Sequence, residues 1–287
     1  MTVKRMIYRI FVRLLEKLMM FHSFKNCRSI NLSIEKLDSS NEHCDIVTIA
    51  FNNIDTIERQ IEMMKQNMQG DYTYIVADNS SDKTARKKIK KLCLNNSVAY
   101  ISLPKNRLSI ISGSYSHGAS LNWIYYHVIK KRQPCYFGFV DHDLFPIKTI
   151  SIKQKLEQQP IYGTLGQDTQ YWYLWAGLCF YRYAFVKDLK MDFLPAKPQG
   201  VYLDTGGGNW YPIYSKMNRA DLLFECQRIE NMGEEENEIN WFENTLHCIG
   251  DYWIHMVSAS NWSEISPEKL EQKELMIKKK IAKKVFL

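Results

Sequence analysis

The fold is decided by the stretch CYFGFVDHD, residues 135–143, in which an apolar run typical of a buried strand stops abruptly at two aspartates. Similar β-rich runs precede it at residues 45–51, 72–77 and 98–103, and apolar residues recur at helical spacing between them. Such alternation favours a largely parallel sheet joined by right-handed crossovers. We therefore predict an α/β fold with a mostly parallel central sheet flanked by helices.

Acidic and amide side chains follow the predicted strands at the point where each strand ends. Asp78 follows the second strand, Asn106 comes after the third, and Asp141 and Asp143 end the fourth. In open α/β sheets, ligands bind outside the carboxyl ends of the strands. We therefore expect Asp78 and the pair of aspartates at one rim of the sheet.

The Asp-x-Asp pair formed by Asp141 and Asp143 predicts a cation site. Two adjacent carboxylates repel one another and are costly to remove from water without a counter-ion. Their oxygens are hard ligands that suit Mg²⁺ or Mn²⁺, and such a cation would bridge two phosphates. The usual phosphate cradles are missing, because no G-x-G-x-x-G follows the first strand and no Walker-type lysine loop is present. The alternative is a solvated turn.

Five segments of the first half together resemble a known family. They are DIVTIAFNN at 45–53, YIVADNSSDKT at 74–84, Asn106, HGASLNW at 117–123 and FVDHD at 139–143. These segments resemble the nucleotide-binding half of GT-A glycosyltransferases and are most similar to glycosyltransferase family 2. The resemblance implies a metal-dependent transfer of a sugar from a nucleotide-diphosphate donor, most often a uridine-diphosphate (UDP) sugar.

The resemblance also implies a role for each residue at the strand ends. Asp78 would contact the nucleotide base, Phe51 and Asn52 would line the same pocket, and Asn106 and Asp141 complete the predicted nucleotide site. The Asp-x-Asp pair would bind Mn²⁺ or Mg²⁺. From the residues alone, an Asx-turn is the alternative role for Asp78.

Aromatic residues become frequent after residue 160, where the regular alternation of strands and helices fades. Six of the seven tryptophans follow this point. Flat apolar rings suit sugars, although buried aromatics usually belong to a core. Trp175-Ala-Gly177 resembles the acceptor-site turn of the family, which makes Trp175 the predicted acceptor contact. We therefore predict a nucleotide-sugar-binding half at 45–150 and an aromatic-rich, acceptor-binding and catalytic half at 151–264.

An inverting transfer needs a base that deprotonates the acceptor hydroxyl. Asp204 lies in LDTGGG, residues 203–208, beside flexible glycines, and falls roughly where the family places its acidic pair. We therefore predict Asp204 as the catalytic base, with Glu243 and Asp251 as alternatives. Its other possible role is that of a turn residue before the glycines.

Many GT-A enzymes supply a histidine late in the chain as a further metal ligand. The resemblance gives this role to His255, in YWIHMV at 252–257. The alternative is a histidine whose hydrogen bonds are satisfied within the core. His117 is a candidate for hydrogen bonding to a phosphate.

The net charge of +7 belongs to the two ends of the sequence. Residues 1–28 carry seven Lys or Arg and one Glu, and residues 265–287 carry seven Lys and three Glu. Because the segment between them is net acidic, we expect no nucleic acid as a partner.

Each end segment is predicted to form a basic amphipathic helix, within 1–28 and within 265–287. In the first, the apolar and the basic positions lie on different sides: Ile7, Ile10, Phe11, Leu14, Leu18 and Phe21, against Arg5, Arg9, Arg13 and Lys17. Such helices either bind the headgroups of an anionic membrane or pack on protein.

Length and composition are those of a folded α/β protein with a large core: 287 residues, 45% hydrophobic and 24% charged. Seven scattered cysteines, with no Cys-x-x-Cys pair, favour reduced thiols. No run approaches the ~18 apolar residues of a membrane span. We expect a cytoplasmic protein, or one attached peripherally at the inner face of the membrane.

The sequence therefore predicts an inverting, metal-dependent glycosyltransferase whose acceptor is a glycan, a lipid-linked compound or another hydroxyl compound. One alternative is a sugar-phosphate nucleotidyltransferase, which would need a glycine-rich, basic loop after the first strand, where this chain has FNNID at 51–55. Another is a non-catalytic, membrane-attached scaffold that binds a nucleotide sugar.

Overall fold

A computed structural model describes residues 3–38, 42–231, 245–257 and 266–282. Its α-helices are α1 (Val3–Met20), α2 (Ile54–Asn67), α3 (Lys83–Asn95), α4 (Gly113–Ile124), α5 (Lys130–Arg132), α6 (Ile152–Leu156), α7 (Tyr183–Val186) and α8 (Pro267–Ala282). A π-helical segment, Tyr125–Ile129, joins α4 to α5 without a break. Short 3₁₀ helices lie at Phe24–Asn26, Arg107–Ile110, Pro198–Gly200, Gly207–Trp210, Tyr214–Lys216 and Arg219–Asp221.

The strands are β1 (Ser29–Ile30), β2 (Cys44–Ala50), β3 (Met68–Gln69), β4 (Tyr72–Asp78), β5 (Ala99–Ser102), β6 (Tyr136–Val140), β7 (Leu144–Pro146), β8 (Ile150–Ser151), β9 (Ile161–Gln167), β10 (Tyr173–Arg182), β11 (Gln227–Asn231), β12 (Thr245–Ile249) and β13 (Trp253–His255).

Seven strands form the main sheet, in the order β1-β5-β4-β2-β6-β10-β9. The four central strands, β5, β4, β2 and β6, are parallel. The outer strands β1, β10 and β9 join them antiparallel. The central strands are the four apolar runs of the sequence, with ends that differ by one residue at most. The predicted α/β fold with a mostly parallel central sheet flanked by helices is therefore confirmed.

Side chains of the central strands alternate between two apolar layers. On β2, Val47 and Ile49 face the layer that contains α1 and α4. Ile46 and Ala50 face the layer that contains α2 and α3. Because both faces of the sheet are covered, its central strands are mostly apolar on both sides instead of alternating regularly with polar residues.

A second, antiparallel sheet has the strand order β11-β12-β13-β7, and β3 pairs with β8 in a small parallel ribbon. β7 begins only a few residues after β6 ends, so the chain crosses between the two sheets at the Asp-x-Asp pair. The halves predicted at 45–150 and 151–264 share both sheets, since β9 and β10 extend the first and β7 belongs to the second. The functional division between these halves stays a prediction.

Helices α1 and α8 lie in the two basic end segments and differ in how they are covered. α1 buries Val12, Leu15 and Met19 in the main core and exposes a row of other apolar residues. α8 buries Ile277 against the second sheet, and its Lys273 is buried as well. Within the ranges given above, no helix has the length and apolar character needed to cross a membrane.

A buried ion pair joins the amino-terminal end of β2 to α5. Nε and Nη2 of Arg132 donate to the two carboxylate oxygens of Asp45 at 2.7 and 2.9 Å, and the exposed fractions of these residues are 4% and 0%. The guanidinium also donates to the carbonyl of Ser33 and, at 3.3 Å, to Oγ1 of Thr73. One side chain therefore holds the end of a helix to the edge of two strands.

Replacement of Arg132 by Gln should leave the buried carboxylate of Asp45 without its guanidinium partner. We expect the free energy of unfolding to fall by about 3–5 kcal/mol, measured by urea denaturation. Lys131→Gln, at the exposed neighbouring position, serves as the matched control and should stay within about 0.5 kcal/mol of the parent. Equal effects of the two substitutions would show that the ion pair does not stabilise the fold.

Candidate metal centre

The turn between β6 and β7 carries Asp141 and Asp143 and is held by hydrogen bonds on three sides. The N–H of Asp141 donates to the carbonyl of Gly177 at 2.9 Å, and the carbonyl of Asp143 accepts from the N–H of Met256 at 2.9 Å. From α2, the side-chain amide of Gln60 donates to the carbonyl of Asp141 at 2.7 Å. The backbone under both carboxylates is therefore fixed by β10, by the residue after β13 and by α2.

Three side chains capable of binding a metal converge at this turn. Asp141, Asp143 and His255 each offer a ligand atom within 4.8 Å of the others, and Nε2 of His255 lies 3.2 Å from Oδ1 of Asp143. His255 ends β13, whose pairing with β7 sets it opposite Leu144 and hence next to Asp143. Antiparallel pairing of two strands that are far apart in the sequence therefore completes the cluster.

Burial strengthens the electrostatic interactions among the three side chains of the cluster. The side chains of Asp143 and His255 are 5% and 10% exposed, whereas that of Asp141 is 21% exposed. Burial by itself lowers the pKa of His255, but the carboxylate of Asp143 outweighs this effect and the pKa is raised above its ordinary value. The open side of the cluster is the side of Asp141.

The donor set fits a divalent cation of the Mn²⁺ or Mg²⁺ type. Carboxylate oxygens suit both ions, and an imidazole nitrogen favours Mn²⁺, the softer of the two. Nδ1 of His255 is buried and has no hydrogen-bond partner in the part of the chain that the structure describes. A bound cation would offset the repulsion between the two carboxylates. Asp141, Asp143 and His255 are the residues that would hold it.

Trp175 lies over the cluster from β10. Its ring centroid is 4.8 Å from that of His255, at an interplanar angle of 53°. The indole is folded over Gly177, where an added Cβ would come within 2.2 Å of the ring. The structure therefore places the predicted acceptor residue against the predicted metal ligand, and a glycine provides the room for it.

Asp78 ends β4 at the same rim, opposite Ala50 of β2. Because β2 lies between β4 and β6, about two strand spacings, or roughly 10 Å, separate Asp78 from the Asp-x-Asp turn. Its carboxylate is fully buried, with one oxygen accepting from the N–H of Ser80 at 2.8 Å and the other from the hydroxyl of Tyr100 at 2.9 Å. Asp78 therefore shapes the turn after β4, and its contact with a nucleotide base stays a prediction.

Phe51, Asn52 and Asn106 lie on the loops that follow β2 and β5. The side-chain carbonyl of Asn52 accepts from the N–H of Asp82 at 3.0 Å, which joins the loops after β2 and β4. The amide of Asn106 donates to the carbonyl of Ser116 at 2.7 Å, and Phe51 is partly exposed. The two asparagines therefore organise the rim, and contacts of all three residues with a nucleotide stay predictions.

The beginning of α4 touches three parts of this rim. Asn79, which follows β4, donates to Oγ of Ser116 at 3.1 Å. One residue further along α4, Nε2 of His117 lies 3.6 Å from Oδ1 of Asp141. Oγ1 of Thr205 donates to a carbonyl in the first turn of α4 at 3.1 Å. A single helix end therefore contacts the loop after β4, the metal cluster and the glycine loop of the second half.

The three candidates for the base have different positions. Asp204 is exposed next to Thr205, and its carboxylate accepts from the hydroxyl of Tyr202 at 3.2 Å. Asp251 lies in the turn before β13, at the opposite end of that strand from His255. Glu243 lies outside the described residues. Asp204 therefore lies near the end of α4 at the rim, whereas Asp251 lies at the end of β13 opposite to His255.

No protein-family model and no curated protein matches this sequence. Among solved structures, part of the chain is similar to S. aureus TarS, at 16% identity over 53% of this chain and 30% of that chain, with a TM-score of 0.37. It is also similar to mannosyltransferase PcManGT from Pyrobaculum calidifontis in complex with GDP-Man and Mn²⁺ (9% identity, 51% of this chain, 48% of that chain, TM-score 0.35). A third similar structure is mannosyltransferase Ktr4p from S. cerevisiae (10% identity, 62% of this chain, 66% of that chain, TM-score 0.36).

The chain spans less than two thirds of each of these structures. At such identities and TM-scores, the likeness concerns part of the fold and assigns no substrate, metal or activity to this chain.

The sequence analysis did not identify three buried residues near the cluster: Gln60, His247 and Lys273. The side-chain amide of Gln60 donates to the carbonyls of Asp141 and Leu144, both at 2.7 Å, and its carbonyl accepts from the hydroxyl of Tyr74 at 2.5 Å. His247 lies opposite His255 on β12, and burial, together with His255 and Lys273, lowers the pKa of His247 to about 4. Only Gln60 carried a signal, since it falls on the apolar face of α2.

Gln60→Leu should loosen the Asp-x-Asp turn without removing a metal ligand, because two buried carbonyls lose their donor. Loss of a residue that positions metal ligands typically weakens metal binding by about 10–100-fold, and we expect a loss in this range for Mn²⁺, measured by calorimetry. Gln66→Leu, at an exposed position of the same helix, should leave Mn²⁺ affinity unchanged. Unaltered Mn²⁺ binding by Gln60→Leu would rule out the positioning role.

Proposed function

We propose that this chain is a metal-dependent glycosyltransferase that transfers a sugar from a nucleotide-diphosphate donor to a hydroxyl acceptor with inversion. The observation that carries the proposal is the cluster of Asp141, Asp143 and His255 at the carboxyl ends of parallel strands. Ligands of open α/β sheets bind at this rim. In a chain without a glycine-rich phosphate cradle, a cation there is the means of binding a diphosphate. A UDP-sugar is the first donor to test.

Asp141, Asp143 and His255 would hold Mn²⁺ or Mg²⁺. When bound, the ion supplies Lewis-acid stabilisation of the charge on the leaving diphosphate, worth several kcal/mol. The greater exposure of Asp141 is the reason to place the diphosphate on its side of the cluster. His117, with Nε2 3.6 Å from Oδ1 of Asp141, is in reach to donate a hydrogen bond to the same phosphates.

Asp204 is the proposed base. Its carboxylate would take the proton of the acceptor hydroxyl while the acceptor oxygen bonds to the anomeric carbon and the bond from that carbon to the diphosphate breaks. Thr205 ties the adjacent backbone to α4, the helix that carries His117. Trp175 would offer part of its indole face to a sugar ring beside the cluster.

A sugar-phosphate nucleotidyltransferase fits less well. Such an enzyme needs cationic side chains in the loop after β2 to neutralise a triphosphate. In this chain, that loop carries Asn52, bonded to the loop after β4, and Asn53, which caps α2 by accepting from the N–H of Thr56 at 3.1 Å. Both amides are engaged in structure, and the loop supplies no cation.

Release of nucleoside diphosphate from a panel of nucleotide sugars, with and without Mn²⁺, tests the proposal without knowledge of the acceptor. The parent should release it by slow, metal-dependent hydrolysis of the donor. Asp141→Asn removes a metal ligand and should lower this release by about a thousandfold, as expected for several kcal/mol of transition-state stabilisation. Asp168→Asn, at an exposed position outside the cluster, should behave like the parent.

Full release by a folded Asp141→Asn protein would contradict the metal assignment. Binding of a nucleotide sugar by the parent, with no release from any donor, would instead indicate the non-catalytic scaffold.

Asp204→Asn separates the base from the metal site. Donor hydrolysis, in which water replaces the acceptor hydroxyl, should fall by about 10²–10⁴-fold, while the affinity for Mn²⁺ measured by calorimetry stays that of the parent. Asp251→Asn should change neither quantity, because Asp251 lies at the far end of β13. The reverse pattern would assign the base to Asp251.

A further inference from the structure

Helix α1 presents three different surfaces. Val12, Leu15 and Met19 are buried in the main core. At 100° per residue, Arg9, Arg13 and Lys17 form a row beside that buried side. Beyond the basic row lies a row of apolar side chains that are 43% to 82% exposed: Ile7, Ile10, Phe11, Leu14, Leu18 and, just after the helix, Phe21.

The exposed apolar side chains of α1 form one continuous row. Single exposed apolar residues are common in soluble proteins, whereas a contiguous patch marks a surface for interaction. From Ile7 to Leu18 the row extends over about 17 Å of helix. Ile110, which is 80% exposed, is a further exposed apolar residue on the 3₁₀ helix packed beside α1.

The charge of α1 indicates what covers this row. Glu16 is the only acidic residue of the helix, and it is turned toward Arg13 and Asn122. In an antiparallel pair of copies joined through this row, the two rows of cations would lie on the same side of the interface and repel one another. Anionic lipid headgroups would instead attract Arg9 and Lys17 while the apolar row enters the outer part of the acyl region.

We propose that α1 docks this protein on an anionic lipid bilayer, with its apolar row in the membrane and with Arg9 and Lys17 among the headgroups, while Arg13 is paired with Glu16 and Asp192. α8 is left out of the docking, because Leu275 is the only strongly exposed apolar side chain on the described part of that helix, whereas Ile277 is buried against the second sheet. The prediction that both end helices could bind membrane is therefore narrowed to one of them. Docking does not depend on sugar transfer.

Docking through α1 would bring the rim of the main sheet near the bilayer. The rings of Tyr8 and Tyr115 meet edge to face at 6.2 Å, so α1 abuts the first turn of α4. The same end of α4 carries His117 beside Asp141. An acceptor linked to a lipid fits this position, an inference that rests on the proposed function.

Flotation of the full chain with phosphatidylcholine vesicles, with and without phosphatidylglycerol, tests the docking. We expect the parent to float with the anionic vesicles. The double variant Phe11→Ser/Leu14→Ser should lower the partition coefficient by at least about tenfold, since two side chains no longer leave water. Lys17→Gln should lower it about fivefold, the effect of one basic residue at an anionic surface.

Leu275→Ser on α8 is the matched control, because Leu275 and Leu14 are 52% and 53% exposed. It should bind the vesicles like the parent, whereas the single variant Leu14→Ser should bind them more weakly. Absence of flotation by the parent, or equal losses for Leu14→Ser and Leu275→Ser, would overturn the proposal. So would light scattering that shows a dimer of the parent, a monomer of the double variant and no vesicle binding, because a second copy would then cover the row.

Circular dichroism of each variant excludes unfolding as the cause of lost flotation. Donor hydrolysis without vesicles should be the same for the parent and Leu14→Ser. Docking can therefore fail while hydrolysis persists, or the reverse, so that the two proposals are tested separately.

Discussion

The repulsion between two carboxylates in one short turn is the constraint on which the candidate site depends. Asp141 and Asp143 are separated by a single residue, and Asp143 is almost completely buried. Hydrogen bonds between the turn and Gln60, Gly177 and Met256 fix its backbone, which keeps the two acids close together. A bound cation would offset this repulsion, because it would be coordinated by the same carboxylate oxygens that repel one another.

The end of α4 is the second organising feature, because it joins regions that the chain supplies separately. Ser116 accepts from Asn79 and from Asn106, His117 faces Asp141, and the glycine loop is bonded to the first turn. On its outer side, Tyr115 contacts α1. The proposed membrane docking at α1 and the proposed donor binding at the rim would therefore both act on α4.

Much of the fold could be predicted, and the reason lies in burial. Both faces of the central sheet are covered, so β2, β4, β5 and β6 are continuous apolar runs whose ends are visible in the sequence. The acidic pair was visible because it interrupts such a run. His247 and Lys273 carried no such signal, and Gln60 was visible only as a polar residue on the apolar face of α2. Their importance comes from neighbours distant in the chain, and a buried lysine on a lysine-rich helix resembles any surface lysine.

The sequence by itself determined the four central strands, the alternation of these strands with helices, and the place of Asp141 and Asp143 at a strand end, because these follow from local periodicity. Only the tertiary structure decided that His255 completes the cluster, since strand pairing across a long stretch of chain sets it beside Asp143. The tertiary structure also showed that α1 exposes an apolar row, whereas Ile277 and Lys273 of α8 are buried. Periodicity shows which side of a helix is apolar, but what covers that side depends on the packing of the rest of the molecule.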